Sequence, residues 1–123
     1  MPWWAWAVLV LGVLMIFGDR KVWEFEVEFP HRDGVGKGEV EFEYYTNRKP
    51  ILEVELDLEP PYLNKDLEVT RNGQRVILIP STSNTRPKLR IHEPYRLEKP
   101  AAGDLIEIKC AGETLFRGEL RAE

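Results

Sequence analysis

The chain holds almost none of the residues from which small proteins build covalent or metal cross-links. Its one cysteine, Cys110, excludes an internal disulfide framework and a Cys-based metal cage, and two histidines leave little for His-rich metal chemistry. An excess of positive charge is also missing. The 17 Lys and Arg are outnumbered by 21 Asp and Glu, for a formal net charge of −4. That balance argues against nucleic acid as the main partner. The 123 residues, 43% apolar and 31% charged, suffice for one globular domain and are neither disordered nor collagen-like in composition.

Charge is absent altogether from residues 2–18, Pro-Trp-Trp-Ala-Trp-Ala-Val-Leu-Val-Leu-Gly-Val-Leu-Met-Ile-Phe-Gly. As a helix this run spans about 25 Å, close to a hydrocarbon core of about 30 Å. Trp3, Trp4 and Trp6 mark one end and Trp23 the other, the pattern of an aromatic belt, while Arg20 and Lys21 can snorkel outward. Val8, Leu9, Val10, Leu11, Val13, Leu14, Ile16 and Phe17 together favour insertion by roughly 2.4–4.8 kcal/mol. A cleaved signal peptide would need a basic stretch before the run and a small-x-small site after it. Here Ala5-Trp6-Ala7 lies before it. The expectation is a retained single-pass anchor over residues 1–21 and a domain over 22–123. The positive-inside rule, read from Arg20 and Lys21, puts that domain in the cytoplasm. The anchor has no histidine for an axial haem ligand and no charge for an ion relay. Ala5 and Gly12 share a face and allow close approach of another helix.

From Val22 the period changes to two. Trp23–Phe29, Glu39–Tyr44 and Leu52–Leu58 alternate apolar and acidic residues, as half-buried strands do. Leu67–Arg71 and Gln74–Ile79 flank Asn72-Gly73, a strong type I′ hairpin signal. A plain two-residue loop sets Val69 against Val76 and Leu67 against Leu78. Lys88–His92 supplies a sixth strand. Asp104–Cys110 and Thr114–Arg121 supply a last hairpin, whose expected three-residue loop, Ala111-Gly112-Glu113, puts Ile108 opposite Phe116. Cys110 alternates with Ile106 and Ile108 and reads as a core residue. Prolines fall between these runs, where they remove no ladder bonds. The pattern predicts an all-β fold, an antiparallel β-sandwich of 7–8 strands, Ig-like in the broad sense, with a small closed barrel as the alternative.

Motifs of chemistry are thin. His31-Arg32-Asp33 matches three letters of a kinase catalytic loop, but a kinase does not fit in this length. Gly34-Val35-Gly36-Lys37-Gly38 lacks the following Ser or Thr and helix of a P-loop and reads as a strand connection. His31 with Asp33, and His92 with Glu93, fall short of a four-ligand metal site. Ser81–Thr85 reads as a polar connection. No catalytic residue, cofactor site or metal site is expected, and no small-molecule substrate is evident.

Charge is segregated instead. Residues 22–68 hold 13 acids and 5 bases, and residues 69–123 hold 7 acids and 10 bases. Arg86, Lys88, Arg90 and Arg96 form a basic contact candidate, for lipid headgroups or an acidic protein face. Glu39, Glu41, Glu43, Glu53, Glu55 and Asp57 form an acidic one. Pairing strands 39–45 and 51–58 sets acids against acids; the chain can avoid this by crossing to the other sheet at Arg48-Lys49-Pro50, or a basic surface such as Lys88 and Arg90 or a basic partner can lie over the acids, and the two strands are expected not to be ladder neighbours.

Three functions fit in outline. One is a non-catalytic accessory subunit that docks on a larger membrane complex, of the kind photosynthetic and respiratory assemblies contain, with membrane lipids and other subunits as partners. Another is a tethered extracytoplasmic module that binds a protein or glycan through loop aromatics, for which Tyr62 and Tyr95 are the candidates. The third is a small enzyme, which no residue spacing supports.

Overall fold

The computed structural model describes residues 20–96 and 98–123. Nine strands run in chain order: β1 (Lys21–Arg32), β2 (Gly36–Tyr45), β3 (Ile51–Leu58), β4 (Leu67–Arg71), β5 (Gln74–Ile79), β6 (Lys88–Pro94), β7 (Leu105–Cys110), β8 (Glu113–Glu119) and β9 (Arg121–Ala122). Two single-turn 3-10 segments, Pro60–Tyr62 and Ser81–Ser83, lie in the connections. The strands make two antiparallel sheets, ordered β6-β3-β2-β1-β9 and β5-β4-β7-β8. This is the two-layer sandwich that the alternating pattern requires. Its connectivity has β1, β2 and β3 as a simple meander, unlike the non-sequential neighbours of an immunoglobulin sheet.

The inward positions of the strands form one core between the sheets. Phe25, Val27, Phe29, Val40, Phe42, Leu52, Val54 and Leu56 come from the five-stranded sheet; Leu67, Val69, Ile79, Ile106, Ile108, Cys110 and Phe116 come from the other. Phe29 stacks on Phe116 across the layers at 5.3 Å between ring centroids. Cys110 is buried among them, as its alternation implied.

Both hairpins of the smaller sheet differ from the sequence expectation in the same way. Asn72-Gly73 makes the expected turn, with φ of 50° and 82°. A bulge between Val69 and Thr70 then sets Val69 against Ile77 and Leu67 against Ile79. Ile77 and Ile79 therefore turn inward, and Leu78 is left 45% exposed. The last hairpin closes on two residues, not three. Ala111 and Gly112 take φ of 50° and 82°, and Cys110 pairs with Glu113. A bulge between Ile108 and Lys109 restores the expected Ile108–Phe116 pairing. The extra residue sits in the strand and not in the loop, where it adds twist.

The expected last strand is divided. β8 ends at Glu119, Leu120 is buried, and β9 crosses to the other sheet, where Arg121 lies opposite Glu26.

The apolar run and its Trp3, Trp4, Trp6, Ala5 and Gly12 lie outside the described residues. Among the described residues no helix is long and apolar enough to cross a membrane. Trp23 corrects one expectation: a helix from Trp3 does not reach it, because β1 starts at Lys21. Trp23 is half-buried against the core, with Phe25 at 6.0 Å and Tyr44 at 5.7 Å between ring centroids. Lys21 likewise belongs to the sandwich, where its ammonium pairs with Glu24.

Candidate functional site: an acidic sheet face

β2 and β3 are ladder neighbours, contrary to the charge expectation. Glu39 lies opposite Glu55 and Glu41 opposite Glu53. Two quantities explain the outcome. Like charges directly opposite cost a few tenths of a kcal/mol per pair or somewhat more. Each buried Val, Leu or Phe of the pairing, here Val40, Phe42, Leu52, Val54, Leu56 and Leu58, contributes about 1.5–3 kcal/mol. Burial wins by a wide margin. The register, two residues from the one that pairs Glu43 with Glu53, also sets Lys37 against Asp57.

The same face continues onto β1, where Glu24, Glu26 and Glu28 lie opposite Glu43, Glu41 and Glu39. Three strands thus carry three acids each on one outward surface. The β1 acids were missing from the acidic candidate set, although their alternation with Trp23, Phe25, Val27 and Phe29 is the same signal. All six residues of that set are brought together.

Cations occupy the rim. Next to β3, β6 sets Lys88 against Asp57 and Arg90 against Glu55. The Arg90 guanidinium donates to Glu53 at 2.8 Å and pairs with Glu55 at 3.2 Å. This is the basic cover within the chain that the paired acids require. Arg121 on β9 supplies the opposite rim. The basic candidates are therefore not one surface: Lys88 and Arg90 flank the acids, whereas Arg86 precedes β6 and Arg96 follows it.

Protons complete the balance at the centre. Glu24 is 8% exposed. The hydrogen bond it accepts from Glu41 holds its carboxyl down to about 2, helped by Lys21 and opposed by burial. The same bond, with burial, pushes Glu41 up to about 9, so Glu41 is protonated at neutral pH. Hydrogen bonds to Glu26 and Glu24 push Glu123 up to about 7. Among the described residues, carboxylate oxygens cluster within 4.8 Å in two triads, Glu24–Glu41–Glu43 and Glu26–Glu28–Glu39. In the first, the shared proton and the Lys21 ammonium bring the charge of the three carboxyl groups from −3 to −1. Toward the end of the face away from Arg20 lies a depression of about 770 Å³, whose lining includes Lys37, Lys88, Arg90 and Arg121 together with Glu28, Glu39, Glu55 and Asp57.

The remaining candidates are structural. Tyr95 is 3% exposed, so it is not a loop aromatic available to a ligand. Its ring meets Phe42 edge-on at 4.9 Å, and its hydroxyl donates to the Glu98 carbonyl at 2.6 Å. Arg71 ties this loop down, donating to Asp104 at 2.8 Å, to the Tyr95 hydroxyl at 3.0 Å and to the Glu98 carbonyl at 3.0 Å. Burial pushes the Asp104 carboxyl up, but hydrogen bonds from the Ala101 amide, Asn72 and Arg71 hold it below its ordinary value. Tyr62 is partly buried against the core. Asn84, within the expected polar connection, is fully buried and donates to the Tyr62 and Lys65 carbonyls at 2.7 and 3.2 Å. His31 meets Asp33 at 3.2 Å on the exposed surface, and among the described residues no third His, Cys, Asp or Glu completes a metal-binding group with them.

Comparison with protein-family models, with curated proteins and with solved structures gives no match for this chain.

Proposed function

We propose that this chain is a non-catalytic, single-pass accessory subunit of a larger membrane complex. Residues 3–18 form its spanning helix, and the sandwich, Ig-like only in the broad two-sheet sense, docks through its acidic face on a basic surface of another subunit. The observation that carries the reading is the stacking of Glu on Glu across β1, β2 and β3, nine acids against Lys21 and Lys37 on those strands and the cations of β6 and β9 at the rim. A sheet selected for its own stability alternates charge signs across strands. A surplus of one sign steers and fixes a partner of the opposite sign. The apolar run of 2–18 and the Trp3, Trp4 and Trp6 belt support the anchor, and Arg20 and Lys21 after it support a cytoplasmic domain. Ala5 and Gly12 offer a face for packing against a partner helix. The burial of Tyr95 takes away a main support of the tethered loop-binding alternative. Purification of the full chain in mild detergent tests the reading. Co-migration with a large complex is expected, and migration as a lone small species contradicts it.

A further inference from the structure

We infer that Asn72 is a guarded modification site, whose spontaneous deamidation unlatches the loop between β6 and β7 and keeps it from closing again. The inference goes beyond the docking reading and does not depend on it. Asn72 is the one asparagine of the chain that precedes glycine; Asn47, Asn64 and Asn84 precede Arg48, Lys65 and Thr85. Asn72 and Gly73 are both exposed at the tip of the β4–β5 hairpin. Gly73 has no Cβ, and nothing lies within 4 Å of the place where one would stand. Its amide nitrogen is therefore unshielded against the side chain before it. The reaction is intramolecular and needs only water. The Gly73 nitrogen attacks Cγ of Asn72, and the new nitrogen–carbon bond closes a succinimide ring. The Cγ–Nδ2 bond breaks, and ammonia leaves with the proton of the Gly73 amide. Water then opens the ring at either carbonyl, giving aspartate at position 72 or isoaspartate, which has an extra carbon in the backbone.

The fold holds this reaction back. The Asn72 amide donates to the Leu105 carbonyl at 2.8 Å, and the Asn72 Oδ1 accepts from the Leu105 amide at 2.8 Å. Its Nδ2 donates to Asp104 Oδ1 at 3.1 Å. The carboxamide is thus bonded at both ends and turned toward the start of β7. It must leave these partners before Cγ can meet the Gly73 nitrogen. The same contacts close the loop. Asp104 Oδ2 accepts from Arg71 at 2.8 Å and from the Ala101 amide at 2.8 Å. Arg71 also donates to the Tyr95 hydroxyl and to the Glu98 and Lys99 carbonyls.

Deamidation replaces the Nδ2 donor with a carboxylate oxygen. At the position of Nδ2 that oxygen would stand 3.1 Å from Asp104 Oδ1 with no proton between them. Two carboxylates so placed repel, and Arg71 is already committed to Asp104, Tyr95 and the two loop carbonyls. The contact that closed the loop becomes one that opens it, so the change runs one way. In the isoaspartate product the lengthened backbone also misfits the two-residue turn. The Asn-Gly pair was legible in the sequence as a hairpin; its link to Asp104 was not, because the two lie far apart along the chain.

The test follows the full chain at mildly alkaline pH, folded in mild detergent or unfolded in guanidinium chloride. Peptide mass spectrometry reads the conversion of Asn72. Conversion at least about tenfold slower in the folded chain is expected, because it waits on local opening. Equal rates overturn the guard, and this comparison needs no variant. Amide hydrogen exchange reads the latch. In Asn72→Asp, residues 98–104 should exchange at least about tenfold faster than in the wild type, with β2 and β3 unchanged. Adding Asp104→Asn to Asn72→Asp puts one amide donor back between the two side chains and should recover most of the protection. Wild-type protection of 98–104 in Asn72→Asp overturns the latch. So does a loss that the double variant fails to recover, and so does a loss that spreads through β2 and β3.

Discussion

The two sheets share one core and treat charge oppositely on their outward faces. In the four-stranded sheet, Glu68 lies opposite Lys109, Glu107 opposite Arg117, and Arg75 pairs with Glu68 at 2.9 Å. In the five-stranded sheet, Glu24 lies opposite Glu43, Glu26 opposite Glu41, Glu28 opposite Glu39, and Glu39 opposite Glu55. One sheet neutralises itself across its strands; the other holds like charges side by side and relies on rim cations and a shared proton. The alternation of apolar and polar residues builds both strand sets equally well, so the fold does not dictate the difference.

The largest effects should appear where the sheets do not differ. Leu52→Ala in one sheet and Ile108→Ala in the other each remove a fully packed side chain. Each should lower unfolding stability by about 2–5 kcal/mol in chemical denaturation. A loss below about 1 kcal/mol for either would mean that the two layers do not share a single tight core.

The pH dependence should come next, and it should belong to the acidic sheet. Between the ordinary carboxyl value and about 9, the folded state retains the Glu41 proton that the unfolded chain has released. Stability therefore falls as pH rises through that window. On the acid side, the depressed Glu24 contributes stability that is lost as pH falls from the ordinary carboxyl value toward about 2. The melting temperature should thus be highest near pH 4–5 and decline by a few degrees toward pH 9. Glu41→Gln keeps a neutral donor for Glu24 and should flatten the alkaline part of the profile, with Glu123 leaving a smaller slope up to about pH 7. A wild-type profile already flat from pH 5 to 9 would disprove the shared proton.

The smallest effect compares two arginines of similar exposure. Arg90 answers two acids in an acidic field, while Arg75 answers one in a balanced field. Arg90→Gln should lower the melting temperature more than Arg75→Gln at low salt, and added salt should shrink the gap. Equal losses that do not respond to salt would show that field strength is irrelevant there.

How much of this was legible in the sequence follows from the range of each interaction. Strand alternation and Asn72-Gly73 are local, and both appear where expected. The bulges after Val69 and after Ile108 are not encoded by spacing, because a strand with one extra residue has nearly the same pattern as one without it. The turn at Ala111-Gly112 was hidden because alanine rarely takes a positive φ. The Arg71–Asp104–Tyr95 clasp links residues 24 and 33 positions from Arg71 and has no local signature. The acidic face was half legible. Its six central residues were recognisable, but their separation was expected because a small repulsion was weighted above a large burial. The β1 acids showed the same alternation and needed only the β1–β2 pairing to join them.

If the sandwich docks as proposed, the acidic face is kept for a basic partner at some cost to the domain itself. The most direct test is mild-detergent co-purification of the full chain carrying Glu39→Lys, compared with the wild type. The substitution places a cation opposite Glu28 and Glu55 and leaves the Arg90–Glu53 pair in place, so the variant should melt no lower than the wild type. With docking through this face, the folded variant loses the partner subunits that the wild type retains. Retention of the same partners at the same salt concentration would contradict it.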